Sequence, residues 1–330
     1  MGGKVTFSTK GLPSAALITR ETLRMAGLIG GRNAPADGLV VVRAMLWPTL
    51  DYGRGVASSE GRGCKAVASL LDAFQLETLR GILGVSKFSV KAGVRGELGE
   101  VQDVWRERKR KLLLARQMLN SPDGSMMARI AHQANSASPK WGIFRHVESF
   151  LTGVNSGRRR LEDFRSKRDI KAWIHAAASA EWSERVRSSS RLARTYPLAQ
   201  TLSMKGYLTQ TYPGRQILTR IRIDDLTLGA AGCRAAAADT GTLCLLCGEE
   251  PETREHFTLR CRRLTAAREA NRQALDITLG VSPELAFEAI ILARPAHAAD
   301  DVERAKTVGR LLHALWNLRT KILGLRPSLD

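Results

Sequence analysis

A mainly helical fold is predicted, and three observations predict it. Aromatic residues are only 5 % of the 330 residues, and Ala, Leu and Arg dominate, a composition that favours helices over sheets. Apolar residues recur at three- and four-residue steps in several stretches. Glycines and prolines fall mostly at the ends of those stretches, where helices stop. The expected architecture is a helical bundle, a helical linker, a small Cys3His module and a helical C-terminal tail.

The elements follow in order. Residues 14–31 carry Ala16, Leu17, Ile18, Leu23, Met25, Ala26 and Leu28, then Gly30 and Gly31, which reads as a short helix with a glycine stop. A second apolar helix over residues 38–50 runs from Leu39 to Leu46 and is expected to halt at Pro48. Residues 67–83 place Val67, Leu70, Leu71, Phe74, Leu76, Leu79 and Leu83 at helical spacing, and Gly84 stops them. Residues 101–120 are the clearest amphipathic helix. Its expected stripe is Val101, Val104, Trp105, Leu112 and Leu119, with basic residues elsewhere and an end at Ser121-Pro122-Asp123-Gly124. Between 125 and 200 the pattern is mixed, with helical patches at 126–134, 158–186 and 188–199. Residues 218–228 fit a strand or a helix equally. Residues 262–279 and 301–323 read as helices, the latter through Val308, Leu311, Leu312, Leu315, Trp316, Leu318 and Ile322. There is no internal repeat and no low-complexity tract.

Chemistry concentrates in one run. Cys244, Cys247, His256 and Cys261 follow the spacing C-x2-C-x8-H-x4-C. Cys3His is a ligand set for tetrahedral zinc, and four protein ligands leave no open position for activating water. The metal is therefore expected to be a structural Zn2+. Gly248 suits the tight turn after Cys247, and Thr253 reads as the N-cap of a helical turn that carries His256. Two other readings of the residues stay open: a Cys-x-x-Cys redox pair, which has no use for His256 and Cys261, and cysteines that are simply buried. Because the segment holds few large apolar residues, residues 240–265 are expected to lose order when metal is stripped.

The formal net charge is +19 and the pI about 10.4, which suits a polyanionic partner. Residues 101–171 hold 16 Lys/Arg and 7 Asp/Glu, a net of +9. Candidate phosphate contacts are Arg106, Arg108, Lys109, Arg110, Lys111 and Arg116 in the first cluster. Arg158, Arg159 and Arg160 begin the second, which continues to Arg165, Lys167, Arg168 and Lys171. Glu107 is the sole acid inside the first run, so little internal pairing is expected. Such contacts carry affinity with little sequence choice and are salt-sensitive; a solvated helix face is the other reading of such a run. Trp105, Trp141 and Trp173 read as core residues in preference to base-stacking ones. Arg254, Arg260, Arg262 and Arg263 flank the metal ligands and would give that module a basic face. No apolar run is long enough to span a membrane, since Arg43 and Pro48 interrupt the Gly38–Val42 stretch. Zinc-type cysteines without a secretory leader imply a nuclear or cytoplasmic protein.

Four blocks, in this order, carry a resemblance. They are Pro48-Thr-Leu50-Asp-Tyr52-Gly53; Gln75 with Leu79-Arg80-Gly-Ile82-Leu83-Gly84; Arg95-Gly-Glu97-Leu98-Gly99; and Leu218-Thr-Arg220 leading to Glu252-Thr253-Arg254-Glu255-His256-Phe257 and Cys261. Across residues 15–265 the chain resembles the C-terminal portion of a non-LTR (LINE-type) retrotransposon reverse transcriptase. It departs from that pattern at Ala57, where the family often has Trp, and at Arg262, where it usually has Pro. The resemblance implies a thumb-like helical region over residues 1–120, a basic helical linker over 121–225, a CCHC zinc module over 226–270 and a helical tail over 271–330. It also implies RNA or DNA as partner, with no membrane and no small-molecule substrate. The family's catalytic palm would precede residue 1, so no polymerase activity is expected of this chain, read as a truncated or remnant element. Asp224 and Asp225 lie after the thumb-like blocks and are expected to be solvated acids, not a metal-binding catalytic pair. A standalone zinc-stapled interaction or nucleic-acid-binding protein is the alternative.

Overall fold

The computed structural model describes residues 20–21, 23–24, 27, 33–51, 62–137, 143–153, 160–192, 202–226, 228, 243–271 and 298–325. Among them the protein is mainly helical and has no strand; only two isolated bridges, Leu98 with Met204 and Leu243 with Pro251, pair extended backbone. The helices are α1 (Pro35–Val41), α2 (Trp47–Asp51), α3 (Arg62–Leu83), α4 (Lys91–Leu98), α5 (Asp103–Leu119), α6 (Met126–Ala137), α7 (Ile143–Gly153), α8 (Lys167–Arg187), α9 (Arg215–Arg222), α10 (Thr265–Ala270) and α11 (Ala298–Ile322). No helix among the described residues is long and apolar enough to cross a membrane. The chain divides into two compact units. The first gathers Met1–Thr22, Val41–Glu77 and Glu100–Glu184; the second gathers Leu23–Val40, Thr78–Gly99 and Arg185–Asp330.

In the first unit α5 is the central element. Its Trp105, Leu112 and Ala115 meet Val147 and Leu151 of α7 and Ile170, Trp173, Ile174, Ala177 and Ala178 of α8, with Leu161 and Phe164 closing the core. Each large side chain buried here contributes roughly 1.5–3 kcal/mol. Trp173 sits 5.8 Å from Phe150 and 5.6 Å from Phe164, the latter edge to face. The buried stripe of α5 differs from the expected one. Val104 and Leu119 face outward, while Ala115 and Met118 are buried. Two cations, Arg106 and Lys111, are buried as well, because acids meet them there. Trp105 is buried as expected, and its indole N–H donates to Glu181 at 2.7 Å. Helix α7 lies in the stretch that read as mixed. Leu70, expected in the apolar series of α3, is exposed.

Pro48 does not end its helix. Between α1 and α2 the residues Val42–Leu46 form a π-turn, and the Trp47 N–H reaches back five residues to the Val42 carbonyl. The register restarts at Trp47, so Pro48 falls in the first turn of α2. A missing N–H is tolerated in a first turn. In the first predicted helix, Arg20, Glu21, Leu23 and Arg24 are helical and Gly27 is left-handed, with φ 74°; the Gly30-Gly31 stop lies outside the described residues.

In the second unit α9 packs on α11. Ile217, Leu218 and Ile221 of α9, and Val308, Leu311, Leu312 and Leu315 of α11, are buried. The segment that fitted strand or helix is therefore helical up to Arg222, then turns at Asp224, whose φ is 56°. Helix α4 ends at Gly99, with φ 65°, where an added Cβ would collide with the Met204 backbone nitrogen. Residues 188–192 form a turn and not the start of a helix; the remainder of that predicted patch, and residues 272–279 of the one beyond Cys261, lie outside the described residues.

Gln75 and Glu97, two polar residues of the sequence blocks, are buried and bonded. Gln75 donates to the Val101 carbonyl at 3.0 Å in the first unit. In the second, Glu97 accepts from Arg222 Nε at 2.8 Å and from the Tyr207 hydroxyl at 2.8 Å. Buried polar groups need such partners.

Candidate metal centre and basic faces

Cys244, Cys247, His256 and Cys261 converge, each offering one ligand atom within 4.8 Å of the others, and together they could hold a metal ion. The Cys244 and Cys261 sulfurs are 3.9 Å apart, and Cys247 Sγ lies 3.3 Å from His256 Nε2. Local backbone bonds aim them. The Cys244 carbonyl accepts from the Gly248 N–H at 2.8 Å, closing the turn between the first two cysteines. Gly248 takes φ 69°, a conformation that L side chains avoid. Thr253 Oγ1 accepts from the His256 N–H at 3.0 Å, the predicted N-cap. His256–Arg260 then form a π-turn, and the Cys261 N–H returns to the His256 carbonyl at 2.7 Å. His256 Nδ1 lies 3.1 Å from Glu250, so Nε2 is the nitrogen turned to the cysteines. A carboxylate behind a ligating imidazole fixes its ring.

The thiols differ in acidity. Burial pushes Cys261 up to about 12 and also raises Cys244. At Cys247 slight burial is outweighed by hydrogen bonds from the Glu249 and Glu250 amides and from Cys244 and His256, which bring it down to about 7.

The metal segment rests on α11. Phe257, fully buried, meets Trp316 edge to face at 6.1 Å. Glu252 takes a two-pronged bond from Arg319, 2.6 and 3.0 Å, with both side chains buried. Arg254, read from sequence as a phosphate contact, donates to the Ile221 carbonyl at 2.8 Å and pairs with Asp224 at 3.2 Å. Arg262 is 66 % exposed and pairs with Glu249 at 2.5 Å. Arg263 is exposed.

Asp224 and Asp225 are not solvated acids. Asp225 is 4 % exposed and accepts from the Ser86 N–H at 2.7 Å and from the Ser86 hydroxyl. Asp224 pairs with Arg191 and Arg254. Both carboxylates are engaged within the fold.

The first unit sorts the basic run of α5 into two groups. Arg106 is buried over the Trp47 ring at 4.6 Å and paired with Asp51, which also pairs with Arg110. Lys111 pairs with Glu107 at 2.8 Å. Arg108 lies over Trp105 and Phe150. Within the run the pairing is that of Lys111 with Glu107; Arg106 and Arg110 find their acid outside it, in Asp51, 55 residues upstream of Arg106. Lys109 and Arg116 turn toward the start of α8. Arg116 donates to the Arg165 carbonyl. The Lys109 ammonium is held below its usual range by burial, then by Arg106 and Lys171 nearby. Arg160, Arg165, Lys167, Arg168 and Lys171 are exposed. Asp169 belongs to the same turn, where it caps the helix by accepting from the Ser166 N–H at 2.8 Å. The two sequence clusters thus meet on one face. Arg158, Arg159 and Trp141 lie outside the described residues.

Compared with protein-family models, with curated proteins and with solved structures, the chain matches none.

Proposed function

We propose that this chain is the nucleic-acid-binding C-terminal part of a non-LTR retrotransposon reverse transcriptase, stapled by a structural zinc ion and without polymerase chemistry of its own. The observation that carries the binding role is the face of the first unit where Arg116 of α5 meets Arg165 and Lys109 meets Lys171, with the exposed Arg168 between those two along the chain. None of these five makes an ion pair with a carboxylate among the described residues. Cations gathered at the cost of mutual repulsion suit a chain of phosphates, which relieves that repulsion and releases counterions. Arg106, Arg110 and Lys111 have fold partners and serve the helix packing.

Zinc suits the metal cluster. A tetrahedral ion with bonds of about 2.3 Å to sulfur spaces its thiolates about 3.8 Å apart, close to the 3.9 Å between Cys244 and Cys261. When bound, it would cross-link the Cys244–Cys247 turn to the His256–Cys261 turn. The residues themselves orient His256 through Glu250 and seat Phe257 on α11.

Anisotropy titrations with labelled RNA and DNA across a salt series test the binding role. Lys109→Gln with Lys171→Gln is expected to weaken binding to every sequence and to lower the slope of log K against log salt by about 1.8 on duplex, at about 0.9 per phosphate contact. An unchanged slope refutes the face. Elemental analysis finding no zinc in purified protein refutes the staple.

A further inference from the structure

We infer that Phe88 is a stacking platform for an unpaired nucleobase, a site that rests on the nucleic-acid reading above and adds a substrate class to it. Among the described residues Phe88 is the one aromatic side chain that is mostly exposed, at 57 %; Trp105, Trp173, Tyr207 and Phe257 are all buried. It stands on the turn between α3 and α4, in the second unit.

That turn is braced from both sides. Arg80 of α3 donates to the Ser89 hydroxyl at 3.1 Å and to the Ser89 carbonyl at 2.7 Å. Arg220 of α9 donates to the Gly84 carbonyl at 2.9 Å. Asp225 receives both the N–H and the hydroxyl of Ser86. Within the turn, the Ser89 hydroxyl donates to the Ser86 carbonyl at 2.8 Å, and the Phe88 N–H donates to the Ser86 hydroxyl at 3.2 Å. An exposed phenylalanine on so fixed a backbone loses little freedom when a partner lands on it.

The surroundings select the partner. The Lys87 ammonium lies 5.1 Å from the centre of the Phe88 ring, and Lys91 is exposed at the start of α4. Asp225, which accepts from Ser86 of this turn, is buried. A mostly exposed apolar ring with an ammonium held over it fits a nucleotide, whose base stacks while its phosphate meets Lys87. Bases of a duplex are already stacked on each other, so the site takes single-stranded RNA or DNA. Stacking accepts any base, so little sequence preference follows.

The test uses the full chain and a single-stranded oligonucleotide carrying 2-aminopurine, whose fluorescence falls when the base stacks. Wild type is expected to bind and to quench. Phe88→Ala is expected to bind single strands roughly 5- to 100-fold more weakly, the range of one base–aromatic stack, and to lose the quench. Its salt slope and its duplex affinity are expected to stay put, because phosphate contacts are intact. Phe88→Trp is expected to keep both affinity and quench. Ser86→Ala, which frees the turn without touching the ring, is expected to reduce the quench in part. If Phe88→Ala binds and quenches like wild type, or if Phe88→Trp fails like Phe88→Ala, the stacking site is overturned while the basic face stands. If wild type binds neither single strands nor duplex, the nucleic-acid reading falls as well.

Discussion

Glu97→Gln tests whether the Arg95-Gly-Glu97-Leu98-Gly99 block is part of the fold's internal frame. Glu97 is fully buried, and the Arg222 side chain beside it is 3 % exposed, with Nε 2.8 Å from the carboxylate. The Tyr207 hydroxyl donates to the other oxygen and stands 3.1 Å from Thr219. Glutamine keeps the size and one acceptor but removes the negative charge, so the buried guanidinium loses its counter-ion. Breaking a buried pair from one side typically costs about 3–5 kcal/mol. At roughly 2–4 °C per kcal/mol for a domain of 150–250 residues, Tm should fall by roughly 6–20 °C. Urea unfolding should show the same loss with an unchanged m-value. Glu97→Leu combined with Arg222→Met should recover most of the loss, since it removes both charges together. A single-variant loss below about 1 kcal/mol would refute the reasoning, because Glu97 would then not be compensating Arg222.

Two further outcomes follow from the metal segment and from Gly99. Metal binding must displace protons from Cys261 and Cys244, whose thiols are raised and therefore protonated at neutral pH, and below about pH 7 from Cys247 too. Metal affinity should therefore fall as the pH is lowered, by about 100-fold per pH unit down to about pH 7 and more steeply below it, as read by competition with a chelating dye; a flat profile between pH 8 and pH 6 would exclude these ligands. Gly99→Ala meets both a left-handed backbone and the Met204 amide; it should destabilise by more than about 1 kcal/mol in urea unfolding, and an unaltered midpoint would contradict the close approach.

The helices were legible because their apolar spacing is local. The helices read at residues 67–83 and 301–323 needed only a three- to four-residue rhythm, the first with Gly84 beyond its end. The metal cluster was legible for a similar reason: all four ligands, the Gly248 turn and the Thr253 cap lie within eighteen residues. What stayed hidden was pairing at long range. Asp51 with Arg106, Glu97 with Arg222, Ser86 with Asp225 and Glu252 with Arg319 are 55, 125, 139 and 67 residues apart. A charge on an amphipathic helix reads as a solvated one until its partner is known. Hence the fold partners of Arg106 and Arg254 went unseen, and Leu119 took the place of Met118 in the predicted stripe. Pro48 misled for a different reason: a π-turn can restart a helix register, and no side-chain pattern announces it.

The seat of the metal segment on α11 has a consequence for where this protein can be cut. Trp316 supplies the surface under Phe257, and Arg319 supplies the charge opposite Glu252. A chain ended at residue 270 would retain every metal ligand yet leave a bare phenylalanine and an unmatched carboxylate beneath them. Excised from its C-terminal helix, the metal loop should be prone to aggregate even with metal bound. The shortest piece that keeps the loop soluble should therefore extend through Thr320.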